Sequence, residues 1–317
     1  MTFTVLLCKI LTKDVIVLSN IKFKGIFPAI VTPLTNDFEI NKMAIKQMLD
    51  YNYENGADGF YICGSTGEGP VLTTSRRKKF AEAVIEYDKG RGAIINHVGA
   101  ASFEDSLALA HHAADIGCDA VSSVVPNFYF KHNENEVVEY YKRLADAAGI
   151  PVIAYAQGLL GDIDVVSLME KLMKVDNIIG VKFTLLNFYD MSRIKSLCNG
   201  DINVINGPDE MLICGLTMGA DAGIGSTYNV MCREFKKLYN AFTQGNIEEA
   251  RQLQFKINKV IEIIIKYGVI RTVKHMLSYV DINAGDACLP AAALSDKEKE
   301  NIKAELNSIG YFNNYNN

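Results

Sequence analysis

Ile178-Ile179-Gly180-Val181-Lys182-Phe183-Thr184 is an apolar, β-branched run that delivers a lysine and a threonine at its carboxyl end. A short run of this kind reads as a strand buried on both faces, as in parallel sheets covered by helices. The lysine poses a chemical question. Either it snorkels its ammonium to solvent, or it stays desolvated, where burial disfavours the charged form and leaves an amine able to attack a carbonyl. The stretch alone leaves both readings open.

From Lys24 onward, short β-rich runs alternate with longer amphipathic segments, the pattern of βαβ units. Strands are expected at 25–32, 59–63, 93–98, 120–125, 152–155, 178–183, 202–205 and 222–224. Helices are expected at 42–55, 74–87, 102–117, 134–148, 165–175, 188–197, 210–218 and 230–243. The strand ends recur about every 28 residues, one strand plus one helix. Eight such units imply an α/β fold, a (β/α)8 TIM barrel over 23–243. A doubly wound sheet would carry a glycine-rich fingerprint after its first strand. Phe27-Pro28-Ala29-Ile30-Val31-Thr32-Pro33 is no GxGxxG, and Gly64-Ser65-Thr66-Gly67-Glu68-Gly69 has the wrong spacing.

Three additional C-terminal helices, at 246–266, 270–280 and 295–309, make up a helical extension over 244–317. The last opens on a capping box, Ser295-Asp296-Lys297-Glu298. The extension is expected to pack outside the ring or against another subunit, with its 285–290 loop away from the chemistry. Residues 1–22 form an N-terminal extension without a reading. Lys9, Lys13 and Asp14 break its apolar start, so it is not expected to be a secretion signal.

The composition, 49% hydrophobic and 22% charged over 317 residues with a net charge of −5, suits one large barrel with appendages. It offers no basic patch for nucleic acid, and no run approaches a membrane span. The seven cysteines, Cys8, Cys63, Cys118, Cys198, Cys214, Cys232 and Cys288, are scattered without CxxC spacing. They read mostly as buried thiols of a reducing, cytoplasmic protein.

In a barrel, chemistry gathers at the carboxyl ends of the strands. After the second strand, the glycines of Gly64-Ser65-Thr66-Gly67-Glu68 let backbone N–H groups and the Ser65 and Thr66 hydroxyls approach a small carboxylate; an ordinary capped turn would read the same way. The fourth strand ends in Pro126-Asn127-Phe128-Tyr129-Phe130 and the fifth in Tyr155, one strand from Lys182. A phenol there is either packing or a general acid/base for carbinolamine formation and carbon–carbon cleavage. The seventh ends in Asn206-Gly207-Pro208-Asp209-Glu210 and the eighth in Gly225-Ser226-Thr227-Tyr228-Asn229. The two carboxylates could hold a polyhydroxylated substrate or cap the next helix. No metal site is expected, because His97, His111, His112, His132 and His275 lack ligand spacing.

Together these motifs resemble the N-acetylneuraminate lyase and dihydrodipicolinate synthase superfamily of pyruvate-dependent class I aldolases, over nearly the whole chain from Phe23 to Gly310. The details look most like the lyase branch. Ser65 replaces the first threonine usual in the synthase branch, Thr184 follows the lysine by two, and Asp209-Glu210 with Gly225-Ser226 matches the lyase's glycerol-side contacts. The resemblance implies that Lys182 forms a Schiff base with pyruvate or a keto sugar acid. It implies that Ser65 and Thr66 bind the carboxylate, and that Tyr155 is the general acid/base in a hydroxyl relay with Ser65 and with Tyr129 of a neighbouring subunit. Thr184, Gly207, Asp209, Glu210 and Ser226, with Gly225, would hold the sugar. It further implies a cofactor-free homotetramer that cleaves N-acetylneuraminate reversibly. Two features depart from the family. Tyr155 is followed by Ala156-Gln157-Gly158 instead of Asn-Ile-Pro, and the synthase branch's arginine is absent from that loop. The alternatives are another pyruvate-dependent aldolase or synthase, acting on aspartate semialdehyde or a 2-keto-3-deoxy sugar acid, and a non-catalytic keto-acid-binding barrel.

Overall fold

The computed structural model describes residues 22–125 and 130–314. Eight strands, β1 (Gly25–Pro28), β2 (Gly59–Ile62), β3 (Ala93–His97), β4 (Ala120–Val124), β5 (Val152–Ala156), β6 (Ile178–Phe183), β7 (Asn203–Asn206) and β8 (Ala222–Gly225), lie in the order β1-β8-β7-β6-β5-β4-β3-β2. All their pairings are parallel. The ring closes where Ala29 bridges Tyr61 and the Ile30 N–H donates to the Tyr61 carbonyl at 3.1 Å. Helices α1 (Lys42–Glu54), α2 (Thr74–Asp88), α3 (Phe103–Asp115), α4 (Glu134–Ala148), α5 (Val165–Leu172), α6 (Phe188–Lys195), α7 (Leu212–Thr217) and α8 (Tyr228–Thr243) follow the strands in turn. Then come α9 (Ile247–Tyr267), α10 (Val269–Leu277) and α11 (Asp296–Ser308), the last with the expected Ser295–Glu298 capping box. No helix among the described residues is long and apolar enough to cross a membrane.

Two apolar layers follow from side chains pointing alternately to the two faces of each strand. One face packs against the helices. The other fills the barrel with Phe27, Tyr61, Ile95, Ala120, Ile153, Ile179, Ile205 and Ile224, and Phe23, ahead of β1, packs edge-on to Phe27. At the opposite end from the strand-end loops, a repeated Gly-x-Asp turn anchors the sheet. Gly56, Gly117 and Gly219 take positive φ after a helix, and Asp58, Asp119 and Asp221 then accept hydrogen bonds from Ile26 N, Ile94 N and Val204 N at 2.8, 2.8 and 2.9 Å.

The decisive irregularity lies in β6. Val152 pairs with Ile178, but the next residue of β5, Ile153, pairs with Gly180, so Ile179 is an extra residue on β6. Ile179 itself points into the barrel. Strict alternation from there would turn Lys182 outward, toward the helices. The bulge resets the alternation, placing Lys182 opposite the inward-facing Tyr155 and Ile205. Gly180 permits the kink, since a Cβ there would lie 1.9 Å from the Asn203 carbonyl oxygen.

Several boundaries differ from those read in the sequence. β1 ends at Pro28, because the chain beyond it is held by side chains: Asn229 accepts from Val31 N at 3.2 Å and the Thr32 hydroxyl donates to the Gly67 carbonyl at 2.6 Å. The helix expected at 210–218 opens as a 3-10 turn, Asp209–Met211, before α7. Of the described cysteines, Cys63, Cys118 and Cys232 are buried, whereas Cys198 is exposed and Cys214 and Cys288 are half-buried, so buried thiols are not the majority.

Gly180→Ala tests the bulge. Forcing a methyl against the Asn203 backbone is expected to cost roughly 1–3 kcal/mol in urea unfolding and to lower activity by displacing Lys182. A variant with unaltered stability and activity would show that the bulge tolerates a side chain.

Candidate active site

Lys182 is only 6% exposed. Its Nζ lies 4.1 Å from the centre of the Tyr155 ring and 4.4 Å from that of Tyr61, and among the described residues no carboxylate forms an ion pair with it. A buried amine flanked by two aromatic faces and left without a counter-charge is costly for stability alone. The rings are fixed in turn. Tyr61 meets Tyr155 edge-on at 6.4 Å and donates from its hydroxyl to Ser122 Oγ at 3.2 Å. The Tyr141 hydroxyl accepts from Tyr155 N at 3.2 Å and donates to the Ser123 carbonyl at 2.6 Å, pinning the end of β5 to β4. His97 packs edge-on against Tyr155 at 6.2 Å. Burial, with the nearby Arg77 and Lys182 charges, pushes its pKa well below the usual histidine value, and Nε2 accepts from Val124 N at 3.2 Å. It is a neutral core histidine.

The 64–68 loop is a tight ring. Glu68 N donates to the Ser65 carbonyl at 3.1 Å and Gly69 N to the Gly64 carbonyl at 3.0 Å, while Cys63 and Glu68 adopt positive φ of 58° and 57°. A Cβ on Gly69 would fall 1.9 Å from the Cys63 carbonyl oxygen, so the motif's last glycine is a steric requirement. Ser65 is exposed at the mouth. Thr66 is buried, and its hydroxyl meets Ser226 Oγ at 2.6 Å, joining the loops after β2 and β8. Asn229 completes the join, donating to the Ala29 and Ser226 carbonyls, both at 2.7 Å.

Beyond Lys182 lies a cleft of about 350 Å³. Thr184, Gly207, Asp209, Glu210, Ser226 and Thr227 give it polar walls, and Ile261, Ile265 and Val269 of α9 and α10 give it an apolar one. The Thr184 hydroxyl is buried without a hydrogen-bond partner among the described residues. A Cβ on Gly207 would lie 1.9 Å from that oxygen, which is why glycine stands there. Asp209 Oδ2 accepts from Thr227 N at 2.8 Å and from Thr227 Oγ1 at 2.7 Å. Burial raises the Asp209 pKa to about 6, aided by neighbouring Glu210 and opposed by the two Thr227 bonds and by Lys182. From α9, Gln254 donates to the Asp209 carbonyl and Asn258 to the Glu210 carbonyl, each at 3.1 Å.

The strand ends thus bring together Lys182, Tyr155, Ser65, Thr66, Thr184, Gly207, Asp209, Glu210, Gly225 and Ser226. Ser65 and Tyr155 are not joined by a hydrogen bond among the described residues, and Tyr129, the expected middle of that relay, lies outside them. Sequence reading missed Tyr61, Tyr141, Gln254 and Asn258, and quoted Thr227 within its motif without a role. Tyr61 alone carried a local signal, a polar aromatic inside an apolar strand. The helical extension, read from the sequence as packing outside the ring or against another subunit, also reaches the strand-end loops, where Ile261, Ile265 and Val269 of α9 and α10 wall the cleft.

An eight-stranded barrel with a desolvated lysine at the carboxyl end of its sixth strand carries a candidate nucleophile at the face where barrel enzymes gather their chemistry. Residues 22–309 match the Dihydrodipicolinate synthetase family, and the chain belongs to it. It is 34% identical over 284 residues to an N-acetylneuraminate lyase of Citrobacter koseri, covering 89% of this chain and 95% of that one. Among solved structures it is similar to Proteus mirabilis N-acetylneuraminate lyase, with a TM-score of 0.87 and 28% identity over 91% of this chain and 99% of that one. It is also similar to a catalytic lysine mutant of Ruminococcus gnavus sialic acid aldolase, with a TM-score of 0.88 and 26% identity over 92% and 97% of the two chains.

The Asp209 shift has a testable sign. Between the ordinary aspartate value and about pH 6, the folded chain keeps a proton that the unfolded chain has lost. Stability therefore falls as pH rises through that window and levels off above it, by on the order of 2–3 kcal/mol from this group. Urea unfolding from pH 4 to 7 should show this slope in the wild type and its loss in Asp209→Asn; parallel curves for the two would refute the assignment.

Proposed function

We propose that this chain catalyses the reversible aldol cleavage of N-acetylneuraminate to N-acetylmannosamine and pyruvate, as a carbon–carbon lyase working through a lysine Schiff base. The observation that carries the reading is the unpaired, desolvated amine of Lys182 at the centre of the strand-end loops. The named relatives support it, and being lyases they favour that branch over the synthase or deoxy-sugar-acid alternatives. So does the description of one structural neighbour as a catalytic lysine mutant.

The Lys182 amine attacks the keto carbon of the open-chain sugar acid, and loss of water gives a protonated imine. Tyr155, having given its phenolic proton to the departing water, then takes the proton of the C4 hydroxyl as a phenolate, assisted by Ser65 and the substrate carboxylate. The C3–C4 bond breaks, its electrons pass into the imine, and the aldehyde departs. The resulting enamine takes a proton at C3, and water releases pyruvate and the free lysine. The imine serves as the electron sink that a Lewis acid would otherwise supply, so no cofactor is required. Ser65 and Thr66 hold the carboxylate through hydroxyls and N–H groups. Thr184, Gly207, Asp209, Glu210, Gly225 and Ser226 line the path of the sugar hydroxyls, with the buried Thr184 hydroxyl ready for a partner. The reading assigns the remaining member of the relay to Tyr129, outside the described residues, from a neighbouring subunit of a cytoplasmic homotetramer.

Tyr155→Phe should lower kcat by about 10²–10⁴-fold while pyruvate still forms an imine with Lys182; a kcat close to wild type would remove Tyr155 from the mechanism. In the synthetic direction, pyruvate with a panel of aldehydes should give product with N-acetylmannosamine. Product from aspartate semialdehyde or a sugar-acid aldehyde and none from N-acetylmannosamine would overturn the substrate assignment.

A further inference from the structure

The chain has two buried lysines among its described residues, and the second lies outside the reacting centre. Lys274, on α10, places its Nζ 2.5 Å from Glu68 Oε2, with the two side chains 1% and 3% exposed. Glu68 is the last residue of the 64–68 loop that carries Ser65 and Thr66. Its other oxygen, Oε1, accepts from Cys288 N at 2.5 Å, and Lys274 Nζ also donates to the Asp286 carbonyl at 2.9 Å. The same segment binds the loop after β1: Leu34 N donates to the Ala284 carbonyl at 3.0 Å, and a Cβ on Gly285 would strike the Leu34 carbonyl at 2.1 Å. Glu68 itself holds a left-handed backbone conformation that side-chain-bearing residues seldom adopt.

We propose that Glu68 and Lys274 form a positioning clamp, through which the C-terminal extension holds the 64–68 loop in the geometry that binds the keto-acid carboxylate. The assignment rests on the aldolase reading for the identity of that carboxylate. A buried charge pair is a poor device for stability alone, because its desolvation offsets its attraction; its strength is in fixing one geometry. Here the geometry fixed is that of the backbone bearing Ser65 and Thr66, in the loop after β2, across the ring from the β6 strand that carries Lys182. Neither clamp residue touches substrate. Loosening the loop weakens the carboxylate's hold and leaves the sugar-side contacts of Asp209 and Thr184 in place. The defect is therefore selective for pyruvate.

The test is a double-mutant cycle of Glu68→Gln, Lys274→Met and the pair together. It is read by steady-state synthesis from pyruvate and N-acetylmannosamine and by the pyruvate concentration that half-saturates thermal stabilisation. The expected result is a rise of about tenfold or more in the pyruvate KM and half-saturation, with the N-acetylmannosamine KM within about twofold and the double variant no worse than the worse single one. A residue that served stability alone would lower the melting temperature without separating the two KM values. If Lys274→Met does not fold, the isosteric Glu68→Gln carries the test. Unchanged pyruvate dependence in a folded variant overturns the clamp and leaves the aldolase reading intact. A wild type that pyruvate stabilises but that neither cleaves nor makes N-acetylneuraminate overturns the lyase assignment, and the clamp is then decided by the half-saturation of thermal stabilisation alone. A wild type that pyruvate does not stabilise and that makes no product from it overturns both.

Discussion

The site depends on one extra residue in one strand. Ile179 has no counterpart on β5, and the shift it introduces decides whether Lys182 faces the barrel or the helices. Helix-facing positions in this sheet belong to residues such as Val181, Val204 and Ala154, which pack into an apolar layer with no room for a reactive amine. Turned inward, the same lysine ends between Tyr61 and Tyr155, within the ring of strand-end loops. The glycine at 180 is what lets the strand kink without striking its neighbour.

The two buried lysines illustrate two uses of one side chain. Lys274 is neutralised by Glu68 and by a backbone carbonyl, so its charge is spent on geometry. Lys182 has no such partner, and the cost of burying it is recovered only in chemistry that consumes the amine. The carboxylates near the site are arranged to match. Glu68 is turned away to Lys274, while Asp209 is held by Thr227 and faces the cleft, leaving the nucleophile unpaired. The C-terminal helices contribute at both places. They supply Lys274 behind the carboxylate loop, and they supply Gln254, Asn258 and an apolar wall beside Asp209.

Much of this was readable in the chain itself. The spacing of apolar runs set eight strand-and-helix units, and the strand-end motifs named the residues that converge, because barrel geometry turns sequence order into a ring. The bulge was not readable: Ile178-Ile179-Gly180 is apolar on both faces, so it carries no alternation from which a change of parity could be read. The Glu68–Lys274 pair was hidden for another reason. Its members lie some two hundred residues apart, and only the docking of α10 brings them together. The capture of Asp209 by Thr227 depends likewise on the loops after the neighbouring strands β7 and β8 meeting.

The most direct test of the account is to reduce the protein with borohydride in the presence of pyruvate and map the modified peptide by mass spectrometry. A single reduced pyruvyl adduct on Lys182 is predicted, with Lys274 and the surface lysines unmodified. An unmodified Lys182, or an adduct on any other lysine instead, would contradict it.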